Sequence, residues 1–180
     1  YCRCSVRLGL ALGLALLSAL FAADRPQCAA ENTRAQQLLA SPAFKAAIAA
    51  YDRDFDRFVK ELIFLTEIPA PPFGEGTRAL AYLAMLKEAG LENVEMDAEG
   101  NVMGLRRGTA GGVVPLLAVA AHLDTVFPAG TDVKVKRSGT RLVAPGIGDD
   151  TRGLALLLAL IRAMRDAKVE TAADILFIGN

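Results

Sequence analysis

Val113-Val114-Pro115-Leu116-Leu117-Ala118-Val119-Ala120-Ala121, running directly into His122-Leu123-Asp124, is the stretch on which the fold turns. The run is polar on neither face, and a strand of that kind suits the middle of a sheet covered by helices on both sides. A second apolar run, Ala173 to Ile178, reads as another buried strand. Between the two, Thr151 to Ala167 carries Leu154, Leu157, Leu158, Ile161 and Met164 at helical spacing. Working outward, Glu31 to Ile68 is expected to be one amphipathic helix with Phe55, Phe58, Val59, Leu62, Ile63 and Leu65 as its stripe, ended by Pro69, Pro71 and Pro72. Glu75 to Ala89 resumes the helical period through Leu80, Leu83 and Leu86, and Gly90 is a natural stop. Asn93 to Asp97 and Asn101 to Arg106 are expected as short strands joined by Glu99-Gly100, and Asp132 to Lys136 with Thr140 to Ala144 as an exposed hairpin around Ser138-Gly139. This order of helices and strands indicates an α/β layered domain with a mixed or largely parallel sheet.

The chain has 180 residues, room for one ordinary domain. Its 20 basic and 20 acidic residues leave no net charge, which argues against a nucleic-acid footprint or a preference for acidic lipid. The apolar fraction is inflated by Leu8 to Ala23, nearly all Leu, Ala and Gly. Arg3 and Arg7 precede that stretch, small residues close it at Ala22 and Ala23, and a polar segment with Pro26 follows. The pattern is that of a cleaved export signal, not a spanning helix, and the protein is expected to be exported, with no membrane attachment once the leader is removed. The expected division is a signal peptide over 1–23, a leader-proximal segment over 24–42 and a catalytic-domain portion over 43–180. Because the chain opens on Tyr1, its natural start is expected to lie upstream. Cys2, Cys4 and Cys28 form no disulfide framework and no Cys-x-x-Cys zinc knuckle in the body of the chain.

His122 is the sole histidine. In an extended chain residues two apart share a side, so His122 and Asp124 both face the crevice at the strand's carboxyl edge, the usual place for ligands in open α/β sheets. Alone, His-x-Asp reads better as a core histidine bonded to a nearby carboxylate. Pro145-Gly146-Ile147-Gly148-Asp149-Asp150 changes that balance by bringing adjacent carboxylates to a helix start through a glycine-containing loop. One of the two aspartates is expected to cap the helix, and both cannot hold that place. An imidazole and a carboxylate suit zinc and related divalent ions, and a carboxylate can bridge two cations about 3.5–4 Å apart. Such ions would acidify a shared water and polarise a carbonyl, which suits amide hydrolysis.

Ala121-His122-Leu123-Asp124-Thr125-Val126, followed by Gly148-Asp149-Asp150-Thr151-Arg152-Gly153, closely resembles the dizinc metallohydrolase family of aminoacylase, glutamate carboxypeptidase and peptidase T. Leu65-Thr66-Glu67-Ile68-Pro69-Ala70-Pro71 with Glu75, and Asp97-Ala98-Glu99-Gly100-Asn101-Val102, fit the same pattern, so the likeness runs from about Phe55 to the last residue. The resemblance implies a three-layer αβα sandwich around a mixed, largely parallel sheet. It implies that His122 binds one zinc, that Asp149 bridges two, and that Asp124 holds the His122 imidazole in orientation. Two divalent cations are implied, zinc first, with cobalt or manganese as alternatives. The implied substrate is a small peptide or an N-acyl amino acid, cleaved by an exopeptidase. The family's adjacent glutamates, one a general base, normally follow the strand at Asp174 to Gly179. They, a later acidic ligand, a final histidine and an inserted lid domain that often carries homodimer contacts are expected beyond Asn180, and the chain as it stands is expected to be inactive. A non-catalytic peptide-binding or scaffolding relative is the alternative. A dinucleotide-binding loop ranks last, because Thr151 stands where that pattern needs its third glycine and two aspartates would repel a pyrophosphate.

Overall fold

In the computed structural model residues 33–180 are described. The expected export signal and all three cysteines fall outside them. The chain divides into two compact units, Tyr1–Ser41 and Pro42–Asn180. Within the first, residues 33–40 are helical. The second contains helix α1 (Pro42–Arg53), α2 (Phe55–Thr66), α3 (Gly76–Ala89), strands β1 (Glu92–Met96), β2 (Val102–Arg106), β3 (Leu117–Ala121), β4 (Lys136–Ser138) and β5 (Arg141–Val143), helix α4 (Arg152–Asp166) and β6 (Ile175–Gly179). No helix among the described residues is long and apolar enough to cross a membrane.

The single helix expected over Glu31 to Ile68 is in fact broken. Pro42 opens α1, the position where a missing N–H does least harm. At Asp54 the backbone leaves helical geometry (φ −95°, ψ 12°), separating α1 from α2, and both segments pack on α4. The α3 stripe also differs from the expected one. Leu86 is buried, but Leu80 is exposed, and the buried face is Arg78, Ala79, Tyr82, Leu86 and Ala89. A polar-looking arginine hid that register.

The main sheet has the order β1-β2-β6-β3, with β1–β2 and β2–β6 antiparallel and β3–β6 parallel. It is the mixed sheet flanked by helices that the sequence indicates. β3, expected in the middle, lies at the edge, and β6 takes the interior place with its alternate residues Ile175, Phe177 and Gly179 buried. Val102, Ala121, Ile175 and Phe177 meet Leu86 and Tyr82 of α3 and Leu154, Leu158 and Ile161 of α4 in one core. On the opposite face Ala118 and Ala120 are exposed, and Met103, Leu105, Leu176 and Ile178 half-buried. The all-apolar run therefore reports two hydrophobic faces, of which α3 and α4 cover one. The expected hairpin is present as β4–β5, but its first strand is Lys136–Ser138, so of the expected Asp132 to Lys136 only Lys136 pairs, and the turn lies at Gly139-Thr140.

A second, smaller cluster joins Phe58 and Leu62 to Ala155 and Ala159 and is locked by charge. Arg162 forks onto Glu61, with Nη1 donating to Oε1 at 2.9 Å and Nη2 to Oε2 at 2.7 Å, and Arg57 Nε donates to the same Oε1 at 2.8 Å. Arg162 is 3% exposed and Glu61 9%. Removing one partner of such a buried pair strands the other charge, whereas replacing both with hydrocarbon of similar volume is close to neutral. Glu61→Ala is therefore expected to lower unfolding free energy by about 3–5 kcal/mol in denaturant titration, and Glu61→Met with Arg162→Met by far less. Equal losses in the single and double variants would show that the pair itself carries the stability.

Candidate metal centre

The site grows from the parallel pairing of β3 and β6. That pairing continues past both strands, since Asn180 N donates to Ala121 O at 3.1 Å and Leu123 N to Asn180 O at 2.5 Å. The extension keeps His122-Leu123-Asp124 extended, so alternate side chains diverge. Leu123 goes into the core at 1% exposure, while His122 and Asp124 emerge on the other side, with side chains 37% and 41% exposed. His122 Nδ1 lies 3.0 Å from Asp124 Oδ1 and 3.0 Å from Asp124 O. In the neutral ring, donation from Nδ1 leaves the Nε2 lone pair facing outward, whereas in the protonated ring Nε2 is a donor as well.

What faces Nε2 is Asp149, with Oδ1 at 2.9 Å. The turn at Ile147–Thr151 delivers it. Asp149 sits in extended geometry (φ −139°, ψ 96°), and the Asp149–Asp150 peptide is cis. Asp150 takes the helix start instead, its Oδ1 accepting from Gly153 N at 3.1 Å. The neighbouring aspartates thus divide the work. Two glycines make this geometry accessible. Gly146 has φ +74°, and a Cβ there would collide with the Thr125 methyl, while a Cβ at Gly153 would collide with the Asp150 carboxylate.

Burial pulls the His122 imidazole towards neutrality, but the bonds to Asp149 and Asp124 outweigh it, and its pKa rises above the usual value. Two donor atoms each about 2.0–2.2 Å from one zinc ion, at angles near 90–110°, lie about 2.8–3.6 Å apart. The His122 Nε2 to Asp149 Oδ1 distance fits that spacing. The Asp149 side chain is 91% exposed, which leaves its other oxygen open to a further cation. Asp124 reaches the far side of the ring, and among the described residues no cluster of three or more His, Cys, Asp or Glu side chains could hold a metal ion. The residues assigned from the sequence are therefore brought together as two candidate ligand atoms on one side of the imidazole and an orienting carboxylate on the other.

A cavity of about 260 Å³ adjoins Asp124 and is lined by Phe73, Glu75, Asn101 and Asn180 among others. A larger one of about 600 Å³, between α2, the hairpin and the Ile147–Gly148 backbone, reaches neither His122 nor Asp149.

Sequence reasoning missed what stands behind the site. Arg78 is fully buried; Nη1 donates to Leu123 O at 2.7 Å, and Nε and Nη2 donate to Ile68 O at 3.1 and 2.6 Å. Thr125, 3% exposed, donates to Ala70 O from both its backbone N (2.8 Å) and its Oγ1 (3.2 Å). The available signal was an arginine four residues before Tyr82 on a helix whose apolar stripe is incomplete without it.

Residues 118–180 match the model of peptidase family M20/M25/M40. Among curated proteins no match is found. In fold the chain is similar to the di-peptidase Dug1p of Saccharomyces cerevisiae (TM-score 0.62, 15% identity, 76% of this chain and 34% of that one). It is also similar to the aminopeptidase PepT of Bacillus cereus (0.58, 24%, 68% and 35%) and to human carnosine dipeptidase 1 (0.60, 14%, 78% and 34%). The chain thus spans about a third of the length of each of these structures. Residues 118–180 thus carry the likeness to peptidase family M20/M25/M40, and the fold just described is similar to that of these peptidase structures.

Proposed function

We propose that this chain supplies one wall of the dinuclear metal site of a hydrolase, an exopeptidase that cleaves amide bonds of small peptides or N-acyl amino acids. The observation that carries the reading is the line Asp124–His122–Asp149: a carboxylate fixes Nδ1, and the opposite nitrogen meets a second, exposed carboxylate at ligand spacing. His122 and Asp149 would hold the cation, Asp149 would bridge to a second one, and Asp124 would keep the ring in the tautomer that presents Nε2. Zinc suits a nitrogen and oxygen donor set best, and cobalt or manganese also fits. When bound, such cations polarise a scissile carbonyl and bring the pKa of a water towards neutrality. The family match and the peptidase folds support the substrate class. Two ligands and an orienting carboxylate leave the general-base role unassigned among the described residues. An export leader over 1–23 would place this activity outside the cytoplasm.

The test is metal content of the full chain by mass spectrometry and zinc titration. His122→Ala and Asp149→Asn are expected to abolish loading. Asp124→Asn should lower affinity or turnover about 10- to 100-fold, the usual effect of losing a group that orients a ligand. Normal loading in His122→Ala, or a purified, folded chain that takes up no zinc, would favour a non-catalytic relative.

The two aspartates separate the metal reading from stability. Asp150→Ala should leave metal loading intact while weakening the start of α4 by about 0.5–2 kcal/mol, read as a lower melting temperature. Asp149→Asn should do the opposite, and exchanged outcomes would mean that the roles are reversed.

A further inference from the structure

Arg78 is a charged group with no ion-pair partner within hydrogen-bonding distance. All of its described bonds go to main-chain carbonyls: Ile68 O from Nε and Nη2, Thr66 O from Nη2 at 3.5 Å, and Leu123 O from Nη1. Its exposure is 0%. Burying a guanidinium among neutral acceptors is a poor way to gain stability, because hydrocarbon of similar volume would fill the same space without desolvating a charge. What the planar fork achieves, and hydrocarbon cannot, is to tie two separate backbone segments at a fixed distance. One is residues 66–68, at the C-terminal end of α2. The other is Leu123, the residue between His122 and Asp124.

From this geometry we infer that Arg78 is a positioning residue, whose fork sets the Leu123 peptide plane and so fixes the direction in which His122 and Asp124 engage one another. The inference rests on the proposed metal-site reading for its purpose, though not for its geometry. His122 Nδ1 meets both the carbonyl and the carboxylate of Asp124, so a rotation of the Leu123 peptide displaces both acceptors together. Three attachments oppose that rotation. Leu123 N is held by Asn180 O, Leu123 O by Arg78, and Thr125 by Ala70 O. Of these only Arg78 acts on the carbonyl between the two functional side chains. Burial pushes its guanidinium down to about 10, while the Asp124 charge pulls the other way, so the cation persists at neutral pH. It therefore sits charged behind Asp124 whenever the site works.

Because His122 is the sole histidine, its ring can be observed without ambiguity in the full chain. The measurement is the ¹⁵N–¹H imidazole correlation spectrum of metal-free protein at alkaline pH, where the ring is neutral, alongside the melting temperature. The native chain should show mostly the tautomer protonated at Nδ1, where two Asp124 acceptors compete against the single Asp149 oxygen at Nε2. Arg78→Met, which keeps volume and removes the fork, should shift the population towards the tautomer protonated at Nε2, with Nδ1–H exchange faster by at least tenfold. Arg78→Lys keeps the charge but cannot span both carbonyls, and should show the same shift at a melting temperature closer to native. A native ring spectrum in either folded variant would overturn the inference, as would failure of both variants to fold, since Arg78 would then be a structural group only. If Arg78→Met alone does not fold, Arg78→Lys decides. Titration of the native chain with Co²⁺ separates this result from the metal reading. No uptake, with a ring that still answers to Arg78, removes the metal site and leaves the positioning role. Uptake with an unresponsive ring removes the positioning role alone.

Discussion

The parallel pairing of β3 with β6 is the constraint on which the site depends, because it decides which side of the strand His122 leaves from. Side chains alternate along a strand, so a slip of one residue would send His122 and Asp124 into the core and Leu123 into the crevice. Leu123, 1% exposed, resists that slip. Inverting the register would bury an imidazole and a carboxylate without their present partners and expose a leucine. Fully burying a leucine side chain stabilises by about 1.5–3 kcal/mol, and desolvating an unpaired polar group is unfavourable by a similar or larger amount. Both effects favour the same register. The apolar packing of Ala121, Leu123 and Phe177 against α3 and α4 is thus also what aims the polar pair.

The turn before α4 solves a different problem, that of presenting one of two adjacent carboxylates. A helix N-terminus attracts either aspartate through its free N–H groups and its dipole. Asp150 takes that place by accepting from Gly153 N, and the collision a Cβ would cause at Gly153 shows how tightly that carboxylate lies over the first turn. Once Asp150 is engaged, Asp149 points outward to His122. The helix N-terminus therefore selects the aspartate that remains available for a ligand by using up the other.

How much of this the sequence discloses follows from the range of the forces involved. Periodicity reports local burial, so α4, with Leu154, Leu157, Leu158, Ile161 and Met164 on one face, is legible to within a residue or two. The hairpin and the β1–β2 turn are legible because Gly139 and Gly100 adopt the positive φ that those turns require. His122 and Asp124 are readable as a pair because strand alternation is also local. Strand order is not local: the position of β3 at the edge depends on where β6 pairs, and an apolar run is equally apolar at an edge when one face is covered and the other is hydrophobic. Glu61, Arg78 and Arg162 are invisible for a related reason. Each is buried by a partner far away in the chain, Glu61 and Arg162 by one another and Arg78 by the carbonyls of Ile68 and Leu123, while by composition all three read as solvent-facing.

These attachments are unevenly distributed around the site. His122 stands on a strand held by β6, with its ring tied at Nδ1 and its neighbouring peptide bonded at Leu123 N, Leu123 O and Thr125. Asp149 is 91% exposed, and the one side-chain bond described for it is to His122 itself. A site built this way has one ligand whose geometry is set before any cation arrives and another that can rotate to meet it. Preorganising the imidazole lowers the ordering entropy left to lose on binding, and the exposed carboxylate can change from a hydrogen-bond acceptor to a bridge without disturbing the core. The scaffold's precision is therefore spent on the nitrogen, where direction matters most, and its tolerance is left at the carboxylate, whose two oxygens accept a wider range of geometries.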